Sequence, residues 1–401
     1  MSSKSEKLTD IYNGMCSLAV FRNLLSDDVI SSLMTFLEKQ ENEKKFDIKN
    51  YSEFVSKLYN HGTDLSAYIL KAVLEDDNFY IRSKADKNAA ADEIIEKAVS
   101  NELSVFQELS QLTPNDLQCE VFNTTKLAEW KNSDINLAEE YRNRTDNISK
   151  YGYGKFASDR MFILRNGEIV PVKSPDGQRL SDLFGYERER NEVISNTLAL
   201  VEGKSVQNAL LYGDAGTGKS STVKAVVNEF ADRGLRLVEI TKEQLRDIPM
   251  LVDVLSSNPL KFIIFIDDLT FTTGEDCFGA LKAALEGSVS ASADNIAIYA
   301  TSNRRHLVRE SFSERDGDDV HRNDTMQELL SLSARFGLRV NFSRPDKKKY
   351  GEIVTDLARK NGINLPEEEL VLKAEQFAIS SGNGRSPRTA KQFITQYKVE
   401  N

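Results

Sequence analysis

The stretch LLYGDAGTGKSS, residues 210–221, places a glycine-rich loop between a short apolar run and a lysine that two serines follow. Glycine adopts backbone angles that are closed to other residues, so successive N–H groups in such a loop can turn inward around an anion. The pattern predicts a strand, a phosphate-binding loop and a helix that begins at the lysine. The residues that we assign to nucleotide binding in this loop are Gly213, Asp214, Ala215, Gly216, Thr217, Gly218, Lys219, Ser220 and Ser221.

Two side chains of this loop have distinct expected roles. We expect Lys219 to reach the β- and γ-phosphates of a nucleotide, and the Ser220 hydroxyl to coordinate Mg²⁺. The helix after the loop directs its positive N-terminal end at the same phosphates. The loop therefore predicts a site for a nucleotide with Mg²⁺, in which Lys219 belongs to the catalytic set and Ser220 is a metal ligand.

A second apolar run, KFIIFIDDL at residues 261–269, ends in a pair of aspartates. A buried strand of this kind brings its last residues to the carboxyl edge of a parallel sheet, where ligands bind. We expect Asp267 to hold Mg²⁺ through water, and Asp268 to act as the general base on the attacking water. The alternative is a helix-capping aspartate after a core strand, which the preceding phosphate loop makes the weaker interpretation.

A third apolar run, IAIYATSN at residues 296–303, also ends in polar side chains. An amide at this position can hydrogen-bond the γ-phosphate or the attacking water, so we assign Asn303 to the catalytic set. The alternative role of Asn303 is that of a turn residue after the strand.

Strand and helix patterns alternate from residue 180 onward, which predicts an α/β fold with a parallel sheet and helices on both faces. Residues 1–150 carry leucine and aromatic residues at helical spacing and no chemical motif. Between the two regions, MFILRNGEIVPVKSPDG at 161–177 predicts a hairpin around Asn166 and Gly167. We expect this hairpin to lead from the helical region into the second domain.

The segments GDAGTGKS, FIIFIDD and ATSN, in this order, resemble Walker A, Walker B and sensor 1 of an AAA+ ATPase. LLSLSARFGLRVNF at 329–342 is similar to the arginine-finger segment, which implies that Arg335 is the finger. GRSPRTAKQFI at 384–394 is similar to the sensor 2 helix of the C-terminal lid and implies Arg388, with Arg385 as the alternative. The segment around Phe184, Gly185 and Tyr186 resembles the one that frames the adenine.

A closer resemblance is to an uncharacterised bacterial AAA+ family that is known as a domain of unknown function. IDDLTF, ALKAALEG, DNIAIYATSNRRHL and SLSARFGL carry it, and it covers roughly residues 150–400. It implies ATP and Mg²⁺ as the ligands and leaves the client open. The implied domains are a helical partner-recognition domain at 1–150, a hairpin and linker at 151–179, an AAA+ core at 180–343 and a helical lid at 344–401.

The sequence departs from the AAA+ pattern in two places. Asp268 stands where most AAA+ motors have glutamate, and its shorter side chain predicts less certain positioning of water and slow turnover. A polar insertion at 308–329 contains Asp316, Asp318, Asp319, His321 and Asp324. We favour a solvated insertion there over a metal loop, because the spacing fits no EF-hand.

Composition limits the cellular setting. The formal net charge of −10 argues against bulk nucleic-acid binding, and the chain has no apolar run of about 20 residues that could span a bilayer. No secretory signal is visible, and the three cysteines are widely spaced, so we expect a reducing cytoplasm and no membrane partner.

Taken together, these features predict a homo-oligomeric, ATP-hydrolysing AAA+ protein that couples its nucleotide state to a change in a macromolecular client. A protein client is favoured, and nucleic acid stays open. One alternative is a nucleotide-gated switch or scaffold with negligible hydrolysis. A phosphate-loop kinase is a second alternative, but it explains neither the arginine of SARFGL nor the lid.

Overall fold

A computed structural model of the chain describes residues 2–43, 46–86, 92–117, 127–270, 278–286, 294–303 and 332–400. The chain divides into two compact units, Met1–Ser158 and Asp159–Asn401. The polar insertion at 308–329, with its candidate metal-binding side chains, lies outside the described residues, as do Cys119 and Cys277. None of the helices within the described ranges has the length and hydropathy needed to cross a membrane.

The first unit is helical, as the periodicity of its apolar residues predicts. Side chains of Asp47, Asp64, Asn78, Asp92 and Asn136 cap helices by accepting hydrogen bonds from first-turn N–H groups, which explains where those helices begin. The helices are α1 (Ser2–Cys16), α2 (Asp28–Glu43), α3 (Ile48–Tyr59), α4 (Leu65–Glu75), α5 (Phe79–Ala85), α6 (Glu93–Ser110), α7 (Pro114–Leu117), α8 (Leu137–Asp146), α9 (Ile148–Tyr151) and α10 (Lys155–Ser158).

A buried carboxylate fixes the connection that follows α1. Glu102 of α6 is 7% exposed and accepts hydrogen bonds from the backbone N–H groups of Ala19, Val20 and Phe21 at 2.9 to 3.1 Å. These three N–H groups belong to no helix or strand, so they have no acceptor in regular structure. The carboxylate of Glu102 accepts from all three. Phe21 then packs edge-to-face on Phe106, with ring centroids 5.6 Å apart.

The second unit is built on one sheet, which has seven strands within the described ranges and the order β2-β1-β4-β5-β6-β3-β7. All of the pairings are parallel except the one between β1 and β2. The strands are β1 (Met161–Arg165), β2 (Glu168–Pro171), β3 (Ala209–Gly213), β4 (Leu235–Ile240), β5 (Lys261–Ile266), β6 (Ile296–Ser302) and β7 (Leu338–Phe342).

Four helices connect or flank these strands in the described part of the core. They are α11 (Glu187–Val201), α12 (Lys219–Phe230), α13 (Ile248–Ser256) and α14 (Phe278–Glu286). Residues 262–266 of β5 and 297–302 of β6 are buried throughout, as expected for parallel strands covered on both faces. Since β5, β6 and β3 are neighbours in the sheet, the residues that follow their carboxyl ends meet at one edge.

The predicted hairpin is present, and as the first element of the second unit it forms one edge of the sheet. Asn166 and Gly167 both have positive φ, 52° and 79°, as a tight two-residue turn requires. Its first strand pairs in parallel with β4, with Met161 opposite Leu237. The buried side chains of this strand explain its place in the sheet, because they add to the apolar layer.

The C-terminal segment folds into the small helical subdomain that was predicted at 344–401. Its helices are α15 (Lys347–Lys360), α16 (Glu367–Ser380) and α17 (Pro387–Glu400). Tyr350, Ile353, Ala374 and Phe393 are buried among them. The predicted fold class, a parallel-sheet AAA+ core with a helical lid and a helical N-terminal region, is confirmed.

The end of β3 gives a test of the fold. Gly213 has φ of +131°, and a Cβ built on it would lie 2.3 Å from the carbonyl oxygen of Phe342 in β7. Gly213→Ala is therefore expected to lower the free energy of unfolding by about 3 kcal/mol, from backbone strain and overpacking. Differential scanning calorimetry should show the transition of the second unit roughly 10 °C lower.

Gly177→Ala is the matched control, because a Cβ on Gly177 meets nothing within 4 Å and its φ is not positive. Its transition should stay within about 1 °C of the parent, since exposed substitutions of this kind change stability little. A Gly213→Ala protein as stable as this control would contradict the close approach of β3 and β7.

Candidate active site

A cleft of about 570 Å³ lies at the carboxyl edge of the central strands, between the core and the lid. The loop after β3 and the first turn of α12 form its floor. Side chains that follow β5 and β6 form one wall, and helices α15 and α17 of the lid form the other. The predicted phosphate-loop residues that line the cleft are Ala215, Gly216, Thr217, Gly218, Lys219, Ser220 and Ser221.

The loop has the backbone that its glycines predict. Gly216 and Gly218 have φ of +77° and +96°, in the left-handed region that other residues rarely adopt. A Cβ on Gly218 would meet no atom within 4 Å, so open space lies beside this backbone. The Thr217 hydroxyl donates to the carbonyl oxygen of Asp214 at 2.8 Å and fixes the curve of the loop.

Lys219 is 6% exposed, and its ammonium group lies among oxygens. It donates to the carbonyl oxygens of Gly213 and Asp214 at 3.0 and 2.7 Å, and to Oδ1 of Asn303 at 2.9 Å. Burial lowers the pKa of Lys219, and the carboxylates of Asp268, Asp214 and Asp267 oppose that shift. The site therefore holds a buried cation that is paired mostly with neutral acceptors.

The two aspartates after β5 occupy different environments. Asp267 is half-buried, and its Oδ1 accepts hydrogen bonds from the hydroxyls of Ser220 at 2.6 Å and Thr301 at 2.5 Å. Asp268 is exposed, has φ of +52°, and accepts a bond from Nδ2 of Asn303 at 2.7 Å. A non-glycine residue in the left-handed region is uncommon, although aspartate tolerates it better than most.

The Asn303 amide therefore joins the two predicted catalytic groups. Its oxygen accepts from Lys219, and its nitrogen donates to Asp268. The structure thus brings together Lys219, Ser220, Asp267, Asp268 and Asn303, which come from three separate segments of the chain.

The oxygens near the loop fit a magnesium ion. Ser220 and Asp267 offer a hydroxyl and a carboxylate within 2.6 Å of each other. Mg²⁺ is commonly held by one or two carboxylates, with waters and substrate phosphates completing its shell. In the described part of the chain no group of three or more His, Cys, Asp or Glu side chains could hold a metal alone. This donor set suits an ion that arrives with a phosphate ligand.

The predicted adenine frame is only partly at the cleft. Phe184 lines it, together with Leu183 and the lid residues Ile353 and Leu357. Tyr186 does not, because it is 2% exposed, donates its hydroxyl to the carbonyl oxygen of Ser343 at 2.6 Å and packs on the Phe342 ring.

Gly185 is also absent from the lining of the cleft. A Cβ on this residue would lie 2.8 Å from the side chain of Ile353, so its backbone packs tightly on the lid. Arg190, which the sequence analysis missed, lines the cleft and donates to the carbonyl oxygen of Gly185. The apolar spacing of Ile353 and Leu357 on α15 was the available signal for the lid wall.

The two candidate sensor 2 arginines have different surroundings. Arg388 lines the cleft, and its backbone N–H donates to the carbonyl oxygen of Gly216 at 3.2 Å. Arg385 instead forms two hydrogen bonds of 2.8 Å with the carboxylate of Glu375. This geometry favours Arg388 for the sensor 2 role and gives Arg385 a structural role within the lid.

Arg335, the predicted arginine finger, lies in a helical turn at 332–335 just before β7. Its side chain is half-buried, and it is not among the residues that line the cleft of its own chain.

Comparison with known proteins gives one family and several distant relatives. A family profile with the description "Protein of unknown function (DUF815)" matches residues 157–401. The chain is 27% identical over 208 residues to an ATP-dependent zinc metalloprotease FtsH of Mycoplasmoides gallisepticum, which covers 46% of this chain and 25% of that protein. It is 25% identical over 218 residues to a 26S proteasome regulatory subunit 6B homolog of Encephalitozoon cuniculi, covering 48% and 52%. The chain thus spans a quarter to a half of these relatives.

Two solved structures are also similar. AMPPCP-bound DnaA from Aquifex aeolicus has a TM-score of 0.40 and 19% identity, covering 56% of this chain and 66% of that one. The Thermotoga maritima RuvB Holliday junction branch migration motor has a TM-score of 0.35 and 14% identity, covering 54% and 63%.

The contrast between the two lid arginines predicts opposite phenotypes. Arg388→Ala should weaken binding of a fluorescent ATP analogue about tenfold, the loss of one charge-assisted contact, and leave stability near the parental value. Arg385→Ala should leave binding nearly unchanged and cost about 1 kcal/mol of stability at pH 7.

The stability loss of Arg385→Ala should depend on pH. Arg385 holds the pKa of Glu375 below its ordinary value of 4.5, so the pair stabilises the fold above that pH and stops doing so as pH falls. Denaturant titrations should show the gap between parent and Arg385→Ala shrinking from about pH 4.5 downward. A large binding defect in Arg385→Ala, with none in Arg388→Ala, would reverse the assignment.

Proposed function

The chain belongs to the DUF815 family and has the AAA+ fold, and we propose that it binds ATP with Mg²⁺ in this cleft and hydrolyses the ATP to ADP and phosphate. The main support is the Asn303 amide, which connects the phosphate-loop lysine to the candidate general base. This arrangement places a cation for phosphates and an acceptor for a proton on either side of one amide.

Phosphate binding begins with Lys219. Its buried ammonium now donates to two backbone carbonyls, which are neutral acceptors. A phosphate group carries net negative charge, so it adds Coulomb attraction to the ammonium that a neutral carbonyl does not supply. The N–H groups at the start of α12 add to the attraction, because a helix N-terminus favours anions. Lys219 therefore gains the attraction of a full negative charge when it exchanges a carbonyl partner for a phosphate.

Ser220 and Asp267 are the residues that would hold Mg²⁺. When bound, the ion neutralises charge on the phosphates and withdraws electrons from the transferred group. Asp268 accepts the proton of the attacking water, and Asn303 orients that water or the γ-phosphate. Because aspartate is shorter than glutamate, Asp268 reaches less far into the cleft, which supports slow turnover.

Hydrolysis would act on a client through a change at the lid. The bond between the Arg388 N–H and the Gly216 carbonyl joins the lid directly to the phosphate loop. We propose that the chain acts in the cytoplasm as a homo-oligomer, that its N-terminal unit recognises a macromolecular client, and that a protein is the favoured client. The alternative is a nucleotide-gated switch with negligible hydrolysis, which the exposed and strained position of Asp268 keeps open.

Asp268→Asn separates binding from hydrolysis. An amide cannot take the proton of water, and general-base assistance is worth about 10²–10⁴-fold. Phosphate release should fall by that factor, while the affinity for ATP stays within about threefold of the parent. Asp253→Asn, at an exposed position of α13, is the control and should hydrolyse ATP at the parental rate.

Turnover by the unsubstituted protein distinguishes the ATPase from the nucleotide-gated switch. Multiple turnovers of ATP per chain support the ATPase, whereas tight binding without turnover supports the switch. If Asp268→Asn matched the parent in rate, Asp268 would be a turn residue and not the base.

Arg335 is proposed to act on the ATP of a neighbouring subunit, since it does not line its own cleft. Arg335→Ala and Lys219→Ala should each lose hydrolysis, because an arginine finger is worth about 10³–10⁵ in rate. Mixing the two should restore part of it, since some interfaces then pair an intact phosphate loop with an intact finger.

The control for this experiment is each variant mixed with itself at the same total concentration. The oligomeric state is followed in parallel by analytical ultracentrifugation. Parental turnover by Arg335→Ala, or activity of a species that stays monomeric at every concentration, would contradict the proposed role in a neighbouring site.

A further inference from the structure

Thr301 is a buried polar residue at the centre of the active-site wall to which no catalytic role has been assigned. It is the sixth residue of β6, is 1% exposed, and lies opposite Leu211 of β3 in the parallel register. Its side chain lines the cleft between the phosphate loop and the two aspartates.

The hydroxyl of Thr301 acts both as a donor and as an acceptor toward the aspartate pair. It donates to Oδ1 of Asp267 at 2.5 Å and accepts from the backbone N–H of Asp268 at 2.9 Å. The carbonyl oxygen of Thr301 also accepts from the N–H of Leu269 at 2.7 Å. Three consecutive residues after β5 are therefore fastened to one threonine.

We propose that Thr301 is a positioning residue that sets both aspartates for their roles, fixing the carboxylate of Asp267 for Mg²⁺ and the turn that presents Asp268. This inference rests on the proposed function and adds a residue that the reaction requires. Thr301 acts through the two aspartates and is not itself assigned a contact with ATP.

The carboxylate of Asp267 shows how this positioning works. Ser220, Thr301 and the N–H of Asp268 all donate to the same oxygen, Oδ1, at 2.6, 2.5 and 3.2 Å. Three donors on one oxygen fix the rotation of the carboxylate. They also commit Oδ1 to the protein and leave Oδ2 as the oxygen for an added cation. Of the two residues whose side chains donate, Thr301 is buried and Ser220 is half-buried.

The backbone of Asp268 shows the second effect of Thr301, on the turn that presents this aspartate. Its φ of +52° is a conformation that costs of order 1 kcal/mol and persists only where the surroundings enforce it. Two of the bonds that enforce it come from Thr301, one to the N–H of Asp268 and one to that of Leu269. The carboxylate of Asp268 then meets the amide of Asn303 at 2.7 Å.

Thr301→Val tests the hydroxyl alone, because valine keeps the shape and the backbone bonds. Loss of an outer contact to a metal ligand typically costs 10–100-fold in metal affinity or activity. We expect the Mg²⁺ concentration for half-maximal binding of a fluorescent ATP analogue to rise about tenfold, while binding in EDTA stays within about twofold. The rate of phosphate release should fall about 10–100-fold.

Thr301→Ser is the rescue variant, since serine keeps the hydroxyl, and it should return the Mg²⁺ requirement to within about threefold of the parent. Thr197→Val is the matched control. Thr197 of α11 is fully buried and does not line the cleft. Its hydroxyl bonds to the carbonyl oxygen of Val193 and to the hydroxyl of Tyr299, which lies in β6 as Thr301 does. Thr197→Val should lower the free energy of unfolding, as Thr301→Val does, and should leave the Mg²⁺ requirement unchanged.

The outcomes separate this inference from the proposed function. A parent that binds nucleotide, together with a Thr301→Val protein that has the parental Mg²⁺ requirement, overturns the positioning role alone. Equal shifts in Thr301→Val and Thr197→Val also overturn it, because the effect would then be general loss of stability. A parent that binds no nucleotide overturns the proposed function and this inference together.

Discussion

The candidate active site depends on the register of three adjacent parallel strands. Leu211 of β3 lies opposite Thr301 of β6, and Ala300 of β6 lies opposite Ile266 of β5. Because the three strands stop almost level with one another, the polar residues beyond them meet within hydrogen-bonding distance. A shift of one residue in any of them would turn its side chains to the other face of the sheet, since successive side chains of a strand alternate. The positions of the polar side chains in the cleft therefore depend on the packing of the apolar strands that precede them.

Much of this arrangement was predictable from the sequence, because each motif is contiguous and ends a strand. The loop before Lys219, the aspartates after β5 and Asn303 after β6 each carry their own local signal, and parallel strands bring such ends to one edge. The α/β fold class followed from the alternation of apolar runs and helical spacing. These are local features, which a single sequence displays directly.

The remaining features depend on contacts between residues far apart in the sequence. Tyr186 resembles part of an adenine frame, but its ring is buried on Phe342, more than 150 residues later. The hairpin around Asn166 was recognised as a turn, whereas its parallel pairing with β4 required knowledge of the sheet order. Thr301 was recognised as part of the polar end of an apolar strand, but the bonds of its hydroxyl to the two aspartates depend on a direction that the sequence does not show.

The joint between lid and phosphate loop is made by main-chain atoms, the N–H of Arg388 and the carbonyl of Gly216. Every amino acid but proline supplies such an N–H, so nearly any substitution at Arg388 removes the charge and leaves the joint in place. If Arg388 attracts the nucleotide as proposed, a change of its side chain alters that attraction and leaves the backbone bond between lid and loop in place. The charge at this contact depends on the residue type at position 388, whereas the backbone bond does not.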